Sequence, residues 1–238
     1  GPQGEGESGA VRQDVDADGK APKASTADLA ELRPLDAPLE AVMANPKARA
    51  KLYEIAHAGM REATPKLHEI VSRYDGANGG VKLKRLGEID FMQSVHEKYV
   101  RKAGKYTRVG DVGDMVRGRI NVVNGADVDR VIADVRAAFP KAEVDAKFDG
   151  PYPRTHVDIE LESGIRFELQ VGTEATTRFL EDAMVQLPPA LHAKVGRTEG
   201  NFHVAKYDIL DKITDPGMRA KYKLDDIDAR YNEALKAT

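Results

Sequence analysis

The stretch that most constrains the fold runs from residue 155 to residue 173 and reads THVDIELESGIRFELQVGT. On each side of its centre, apolar and polar residues alternate with a period of two, which predicts two β-strands that each have one buried face. A three-residue turn, Glu162-Ser163-Gly164 with Gly164 left-handed, places Leu161 opposite Ile165 and keeps the apolar residues together. A two-residue turn would mix the faces, so we expect the longer turn.

The same register sets polar residues opposite each other on the second face of this hairpin. The pairs are Glu160 with Arg166, Asp158 with Glu168, and His156 with Gln170. Two opposed carboxylates repel each other unless water screens them, one of them is protonated, or a cation lies between them. An ordinary solvated sheet face is one interpretation, and a cation site is the other.

Composition limits the classes of protein that the chain can belong to. Its 238 residues are 41% hydrophobic, which suits one domain or one domain with a helical extension. The formal net charge of -3 gives no overall field that would attract nucleic acid. The absence of cysteine excludes disulfides and thiolate metal sites, and no apolar run approaches the roughly 18 residues of a membrane span. We therefore expect no membrane partner.

The chain divides into two parts by composition. Residues 1–27 are rich in small and polar residues and are predicted to form a disordered linker. Its first two residues, Gly1-Pro2, suggest a protease-tag scar and a fragment of a larger parent protein. Residues 28–238 are predicted to form the folded domain, with helical flanks at both ends.

The order of predicted elements points to an α+β fold. Helices start at Asn45-Pro46, a good capping pair, and a loop is expected over residues 75–80. The elements that follow are a helix near 88–102, a strand over 114–123, a helix, a short strand near 142–148, the hairpin, and helices near 174–186, 202–213 and 225–237. This order favours a small mixed sheet with helices packed on one face and an open polar face on the other.

The most basic stretch of the chain lies over residues 82–108. On the predicted helix, Ser94, Lys98 and Arg101 share a face, and Lys84 and Arg85 precede it. The stretch is either a solvated basic surface or a binding site for polyphosphate. The open sheet face would add two arginines, Arg117 and Arg119, beside the acids of the hairpin. Such a face suits a metal-bound nucleotide.

At these residues the chain resembles the synthetase domain of the RelA/SpoT family, which makes the alarmone (p)ppGpp. Four short motifs occur in the family's order, and together they cover roughly residues 80–190. They are Ser94-Val-His-Glu-Lys98, Asp114-Met-Val-Arg-Gly-Arg119, Tyr152-Pro-Arg-Thr-His156 and Glu168-Leu-Gln170-Val-Gly-Thr173. The family counterparts are Ser-Ile-x-x-Lys, a strand with Asp and an Arg five residues on, Tyr-Arg-Ser-Leu-His and Glu-Ile-Gln-Ile-Arg-Thr.

The resemblance implies a nucleotidyltransferase-like fold and a transferase that moves the β,γ-pyrophosphate of ATP to the 3′-hydroxyl of a purine nucleotide, with magnesium (Mg²⁺). If the family's site residues are transferred to the matching positions of this chain, Asp114 would hold the metal, and Glu168 would share it or activate the hydroxyl. Asp158 is a candidate third metal ligand. The acceptor pocket would contain Tyr152 stacked on the base, with His156 and Gln170 beside it. The residues expected to bind nucleotide or phosphate are Lys84, Arg85, Ser94, Lys98, Arg101, Arg117, Arg119, Tyr152, His156 and Gln170.

Several positions depart from the family pattern. The family has an Arg-x-Lys shortly before the serine of its first motif, and this chain has Glu88 and Asp90 near the equivalent positions. Pro153 replaces the arginine that follows the family's tyrosine, and Gly172 replaces the arginine of its last motif. These departures imply a rebuilt ATP site and leave the acceptor open between guanine and adenine nucleotides, that is, between (p)ppGpp and (p)ppApp synthesis. The His-Asp pair of the family's hydrolase domain is missing, which predicts synthesis without breakdown.

Other functions stay open at the level of sequence. The chain would act in the cytoplasm, either as a small alarmone synthetase or as the toxin domain of a delivered effector with an immunity or antitoxin partner. The same chemistry on tRNA 3′ ends is a second alternative, in which the basic stretch contacts the RNA backbone. A nucleotide-binding module that has lost catalysis is a third.

Overall fold

The computed structural model describes residues 32–145, 154–188, 190–191 and 204–236. In these ranges the α-helices are α1 (Leu39–Met43), α2 (Pro46–Val71), α3 (Glu88–Arg101), α4 (Val128–Ala138), α5 (Glu174–Gln186), α6 (Pro216–Lys221) and α7 (Leu224–Lys236). The strands are β1 (Asn78–Leu83), β2 (Val116–Val122), β3 (Ala142–Val144), β4 (Thr155–Glu160) and β5 (Arg166–Thr173). Part of the helix expected near 202–213 is a π-helical segment, Val204–Leu210. The predicted linker over residues 1–27 and Tyr152 lie outside the described residues.

The strands form one five-stranded mixed sheet in the order β1-β2-β5-β4-β3. Only the central β2–β5 pair is parallel, and the other pairs are antiparallel. The hairpin has the predicted turn: the Leu161 N–H donates to the Ile165 carbonyl at 2.9 Å, and Gly164 has a φ of 91°. The three predicted cross-strand pairs are also present. The predicted α+β class with a small mixed sheet is therefore confirmed.

The first strand was not expected. The loop predicted over residues 75–80 ends early, because β1 already begins at Asn78. A side chain at Gly79 would place its Cβ 2.4 Å from the Arg119 carbonyl oxygen. The approach of β1 to β2 therefore requires glycine here. Gly79, which the edge strand requires, belongs to the Gly79-Gly80 pair that predicts a loop in the sequence.

One face of the sheet is covered by helices. Asn45 caps α2 as predicted, since its side chain accepts from the Lys47 and Ala48 N–H groups. Helix α2 crosses close to the sheet at Gly59, where a Cβ would lie 2.9 Å from the Ile165 side chain. Together with α4, it buries the apolar side chains of the strands in one continuous core. The opposite face is left for polar residues.

The C-terminal helices form a smaller apolar cluster of their own. Thr173 ends β5 and caps α5, because its hydroxyl accepts from the Thr176 N–H at 3.1 Å. Helix α5 then packs against α7, with Phe179 and Tyr231 in ring contact at 5.1 Å between centroids. Among the described residues, no helix combines the length and the apolar character that crossing a membrane requires.

Candidate functional site

The open face of the sheet carries two rows of polar side chains that run across the strands. The register aligns Lys82, Arg117, Glu168 and Asp158 in the first row. It aligns Gly80, Arg119, Gln170 and His156 in the second. The structure thus brings together the arginines of β2 and the polar residues of the hairpin, as the alternation predicted.

A cleft of about 620 Å³ lies over these rows at the β1 side of the sheet. Its volume falls in the range of small-molecule sites. The cleft is lined by three adjacent strands, β1, β2 and β5. Its charged and amide side chains include Lys82, Arg117, Arg119, Glu168 and Gln170. Three cations and one acid give it the character of a phosphate-binding site.

Asp114 lies just before β2 and is buried within a cluster of cations. Its Oδ2 atom accepts from Lys84 Nζ at 2.7 Å and from Arg117 Nη2 at 3.0 Å, and it lies 3.0 Å from Lys98 Nζ. Burial alone would raise the pKa of Asp114, but the charges of Lys98 and Lys84 hold it well below its usual range. Burial also lowers the pKa of Lys84 in spite of its bond to Asp114. This carboxylate is therefore ionised and held by three separate elements of the fold.

The second oxygen of Asp114, Oδ1, is buried and has no hydrogen-bond partner among the described residues. A buried carboxylate oxygen without a partner is costly unless a ligand satisfies it. Glu168 lies on the neighbouring strand, and burial together with the charge of Asp114 raises its pKa. These two acids provide oxygen ligands of the kind that Mg²⁺ prefers, and this ion commonly takes only one or two carboxylates and completes its shell with phosphates and water.

Asp158 lies opposite Glu168 as predicted, in the row that also contains Arg117. Within the part of the chain that the structure describes, no group of three or more histidines or acids is arranged to hold a metal ion. Asp158, Asp114 and Glu168 therefore do not form a three-ligand set in this structure.

The other predicted phosphate-binding residues are more scattered. Ser94 is buried on α3 and its hydroxyl donates to the Phe91 carbonyl at 2.7 Å. Arg85 is exposed and its Nη1 donates to the Lys84 carbonyl at 2.8 Å, and Arg101 is exposed at the end of α3. None of these three is among the described residues that line the cleft. Their contact with phosphate stays a prediction.

Two cationic residues of this face were not among the predicted site residues. Lys82 lies on β1, lines the cleft and pairs in register with Arg117. Arg154 is buried before β4, and its Nη1 donates to Gln170 Oε1 at 2.8 Å. The signal was present as strand alternation: Lys82 and Lys84 flank a buried leucine, and Arg154 is two residues from His156.

Two asparagines that line the cleft, Asn78 and Asn121, belong to a chain of side-chain hydrogen bonds. Asn121 donates through Nδ2 to Asn78 Oδ1 at 3.3 Å and accepts from Thr177 Oγ1 at 2.6 Å. Asn121 is consequently buried beside α5 instead of lying on an open surface. His156 is also buried, opposite Gln170. The accessible part of the polar face is therefore narrower than the alternation alone predicted.

No protein-family model and no curated protein matches the chain. Among solved structures it is similar to the complex between the Type VI effector Tas1 and its immunity protein, at 21% identity and a TM-score of 0.47, covering 81% of this chain and 98% of that one. It is also similar to small alarmone synthetase 1 from Bacillus subtilis, at 16% identity and a TM-score of 0.48, covering 79% of this chain and 92% of that one. The same enzyme bound to AMPCPP matches at 15% identity and a TM-score of 0.48, covering 80% of this chain and 93% of that one.

Because the identities are low, we base the functional conclusion on the residues of the site. The chain is similar in structure to small alarmone synthetases and to a Type VI effector.

Proposed function

We propose that the chain is a pyrophosphokinase that transfers the β,γ-pyrophosphate of ATP to the 3′-hydroxyl of a purine nucleotide. The observation that supports this most is a pair of acids beside a cationic cleft, the buried Asp114 and the half-buried Glu168. Phosphoryl transfer depends mainly on alignment and on neutralising the charge of the phosphates. A site of fixed cations around two acids provides both.

In the proposed step, the 3′-oxygen of the acceptor attacks the β-phosphorus of ATP. A bond forms between this oxygen and the β-phosphorus, the bond from the β-phosphorus to the oxygen bridging the α- and β-phosphates breaks, and AMP leaves. The hydroxyl proton passes to Glu168. Its raised pKa makes Glu168 a stronger proton acceptor than an ordinary surface carboxylate.

The cations divide into two groups by position. Lys82, Arg117 and Arg119 line the cleft, where they can contact phosphate oxygens directly. Lys84 and Lys98 lie deeper and are oriented by Asp114. In this proposal Asp114 would hold Mg²⁺ through Oδ1, which has no hydrogen-bond partner among the described residues, while Glu168 serves as the proton acceptor. The ion would neutralise charge on the triphosphate.

The test is a transfer assay with γ-labelled ATP and Mg²⁺. Acceptors are AMP, ADP, ATP, GMP, GDP, GTP and bulk tRNA, each tested separately. We expect label to move to one purine nucleotide and to be lost in Glu168→Gln. Glu160→Gln is the matched control, because this glutamate lies on the same hairpin but is exposed and paired with Lys141. It should keep full activity.

The other outcomes of the assay select the alternatives. Label that moves only to tRNA, with binding that weakens steeply with salt, would establish the RNA reaction in place of ours. Nucleotide binding without any transfer would leave a binding module and contradict the proposal. If the chain is the toxin domain of an effector that acts in the cytoplasm, an immunity protein is the expected partner, and it should block transfer to every acceptor.

A further inference from the structure

A chain of side-chain hydrogen bonds at the β1 end of the cleft has no part in the proposed reaction. Thr177 on α5 donates through Oγ1 to Asn121 Oδ1 at 2.6 Å, and Asn121 donates through Nδ2 to Asn78 Oδ1 at 3.3 Å. Asn78 in turn donates through Nδ2 to Glu174 Oε2. The chain of bonds therefore begins and ends on α5, and it joins this helix to the two strands that carry the asparagines.

The carboxylate of Glu174 fixes the direction of this chain of bonds. An ionised carboxylate has no hydrogen to donate, so Asn78 must turn its NH₂ group toward Glu174 and its oxygen toward Asn121. Asn121 must then turn its NH₂ group toward Asn78 and its oxygen toward the hydroxyl of Thr177. Both asparagine oxygens are consequently occupied. Each NH₂ group keeps one hydrogen outside the chain of bonds, and both residues line the cleft.

A gap without a side chain lies beside these donors. Gly80 lines the cleft between Asn78 and Lys82 on β1 and is paired in register with Arg119. Residues two apart on a strand, and residues opposite each other on neighbouring strands, point to the same face of the sheet. A Cβ atom at Gly80 would meet no described residue beyond its chain neighbours within 4 Å. Packing therefore requires glycine at Gly79 but not at Gly80.

The side chains that border this gap offer hydrogen-bond donors. Lys82 and Arg119 have only donors, and the two asparagines are held with their oxygens occupied. The ion pair of Arg119 with Glu181 is 3.8 Å long and exposed, so a ligand can replace it at little cost. A group that fits the gap must accept several hydrogen bonds, and the two cations favour a negative charge on it. A phosphate group has both properties.

We infer that the gap over Gly80 is a phosphate subsite. Thr177 and Glu174 act as its positioning residues, because they hold the two asparagines as donors toward the phosphate. The inference rests on the proposed function, in which the cleft binds phosphorylated nucleotides. It goes further by naming the place where one phosphate group lies, two neutral donors that bind it beside the cations, and the helix that orients these donors.

The test measures the dissociation constants of inorganic tripolyphosphate and of adenosine by calorimetry. The first probe has phosphates without a base, and the second has a base without phosphate. Thr177→Val removes the hydroxyl that holds Asn121, so tripolyphosphate should bind about tenfold more weakly, the effect of losing one hydrogen bond to a charged group. Thr177→Ser keeps the hydroxyl and should keep the affinity. Adenosine should bind equally to all three proteins.

Gly80→Ala is the second variant, and it should fold even if Thr177→Val does not, because the added methyl group has open space. The methyl group takes the place of the phosphate, so tripolyphosphate should bind at least about tenfold more weakly. The urea midpoint of unfolding should not fall, because alanine in a strand is less costly than glycine. Unchanged binding of tripolyphosphate to Gly80→Ala would overturn the inference. Weaker binding of adenosine alone would also overturn it, because a base would then lie over Gly80.

A purely structural role for Thr177 makes a different prediction. In that case Thr177→Val lowers the urea midpoint of unfolding, and the folded variant binds tripolyphosphate as tightly as the unmodified protein does. This result would contradict the positioning role of α5.

Failure of the inference can be told apart from failure of the proposed function, because binding of tripolyphosphate requires no transfer. A protein whose binding of tripolyphosphate depends on Thr177 and Gly80, but which transfers nothing, keeps the phosphate subsite and loses the pyrophosphokinase. A protein that transfers pyrophosphate, and whose KM for ATP is the same in Thr177→Val and Gly80→Ala, keeps the enzyme and loses the subsite.

Discussion

Replacing Asp114 by asparagine removes the carboxylate charge that pairs with three cations and should destabilise the fold. The side chain of Asp114 is 5% exposed, and those of Lys84 and Lys98 are 9% and 16% exposed, so these pairs are poorly screened by water. Breaking a buried pair by removing one partner costs about 3–5 kcal/mol. Arg117 is 34% exposed, and its pair adds less than about 1 kcal/mol. Because the asparagine oxygen can still accept one hydrogen bond, we expect a loss of about 3 kcal/mol.

The assay is urea denaturation followed by circular dichroism between pH 3 and pH 7. The pKa of Asp114 is lowered in the folded protein, so its contribution is complete above the unfolded pKa of about 4. That contribution is lost as the pH falls through the lowered folded pKa. The difference in unfolding free energy between the unmodified protein and Asp114→Asn should therefore stay constant from pH 7 to pH 5 and shrink below about pH 4.

The control for this experiment is Glu160→Gln, which removes an exposed pair with Lys141. It should change the unfolding free energy by less than about 0.5 kcal/mol at any pH in the range. The reasoning is refuted if Asp114→Asn costs less than about 1 kcal/mol at pH 7. It is equally refuted if the cost is the same at pH 3 as at pH 7, because the cations would then be stable without the carboxylate charge.

Two further variants separate cleft residues from core residues. Lys82→Ala should raise the KM for ATP and leave the urea midpoint of unfolding unchanged, because Lys82 is exposed in the cleft and makes no ion pair with another described residue. A lower urea midpoint with an unchanged KM would instead show that Lys82 stabilises the fold. Gly118→Ala should lower the unfolding free energy by about 1–3 kcal/mol, because the new Cβ would lie 2.6 Å from the Phe167 ring. Phe167→Leu in the same chain should recover part of that loss, and no recovery would contradict the overlap.

The elements that sequence predicted well are those whose signal is local. The hairpin register follows from alternation within residues 155–173 and from Gly164, and both are set by neighbours in the chain. Strand β1 was missed because its Gly79 is explained only by the approach of Arg119 from another strand. A requirement for glycine that comes from a tertiary contact looks in sequence like a turn.

The candidate site likewise contains features that local sequence predicts and features that depend on tertiary contacts. The pairing of Asp158 with Glu168 follows from the hairpin register and was predicted. The cluster around Asp114 joins residues from three elements, and no local sequence pattern predicts that Lys84 and Lys98 both form ion pairs with this carboxylate. Helical spacing likewise placed Ser94 and Lys98 on one face. The packing of α3 against α1 and α2 decides that Ser94 is buried, where its hydroxyl is bonded to its own helix.

The most direct measurement of the central claim follows both transferable phosphorus atoms of ATP at once. The protein is incubated with Mg²⁺, the acceptor found in the transfer assay, and ATP radiolabelled at either the β- or the γ-phosphorus. The products are then separated by ion-exchange chromatography and counted. Transfer of pyrophosphate predicts that β- and γ-phosphorus arrive together on the 3′-oxygen, with one AMP released for each product formed. Arrival of the γ-phosphorus alone, with ADP released, would show an ordinary kinase and contradict the account.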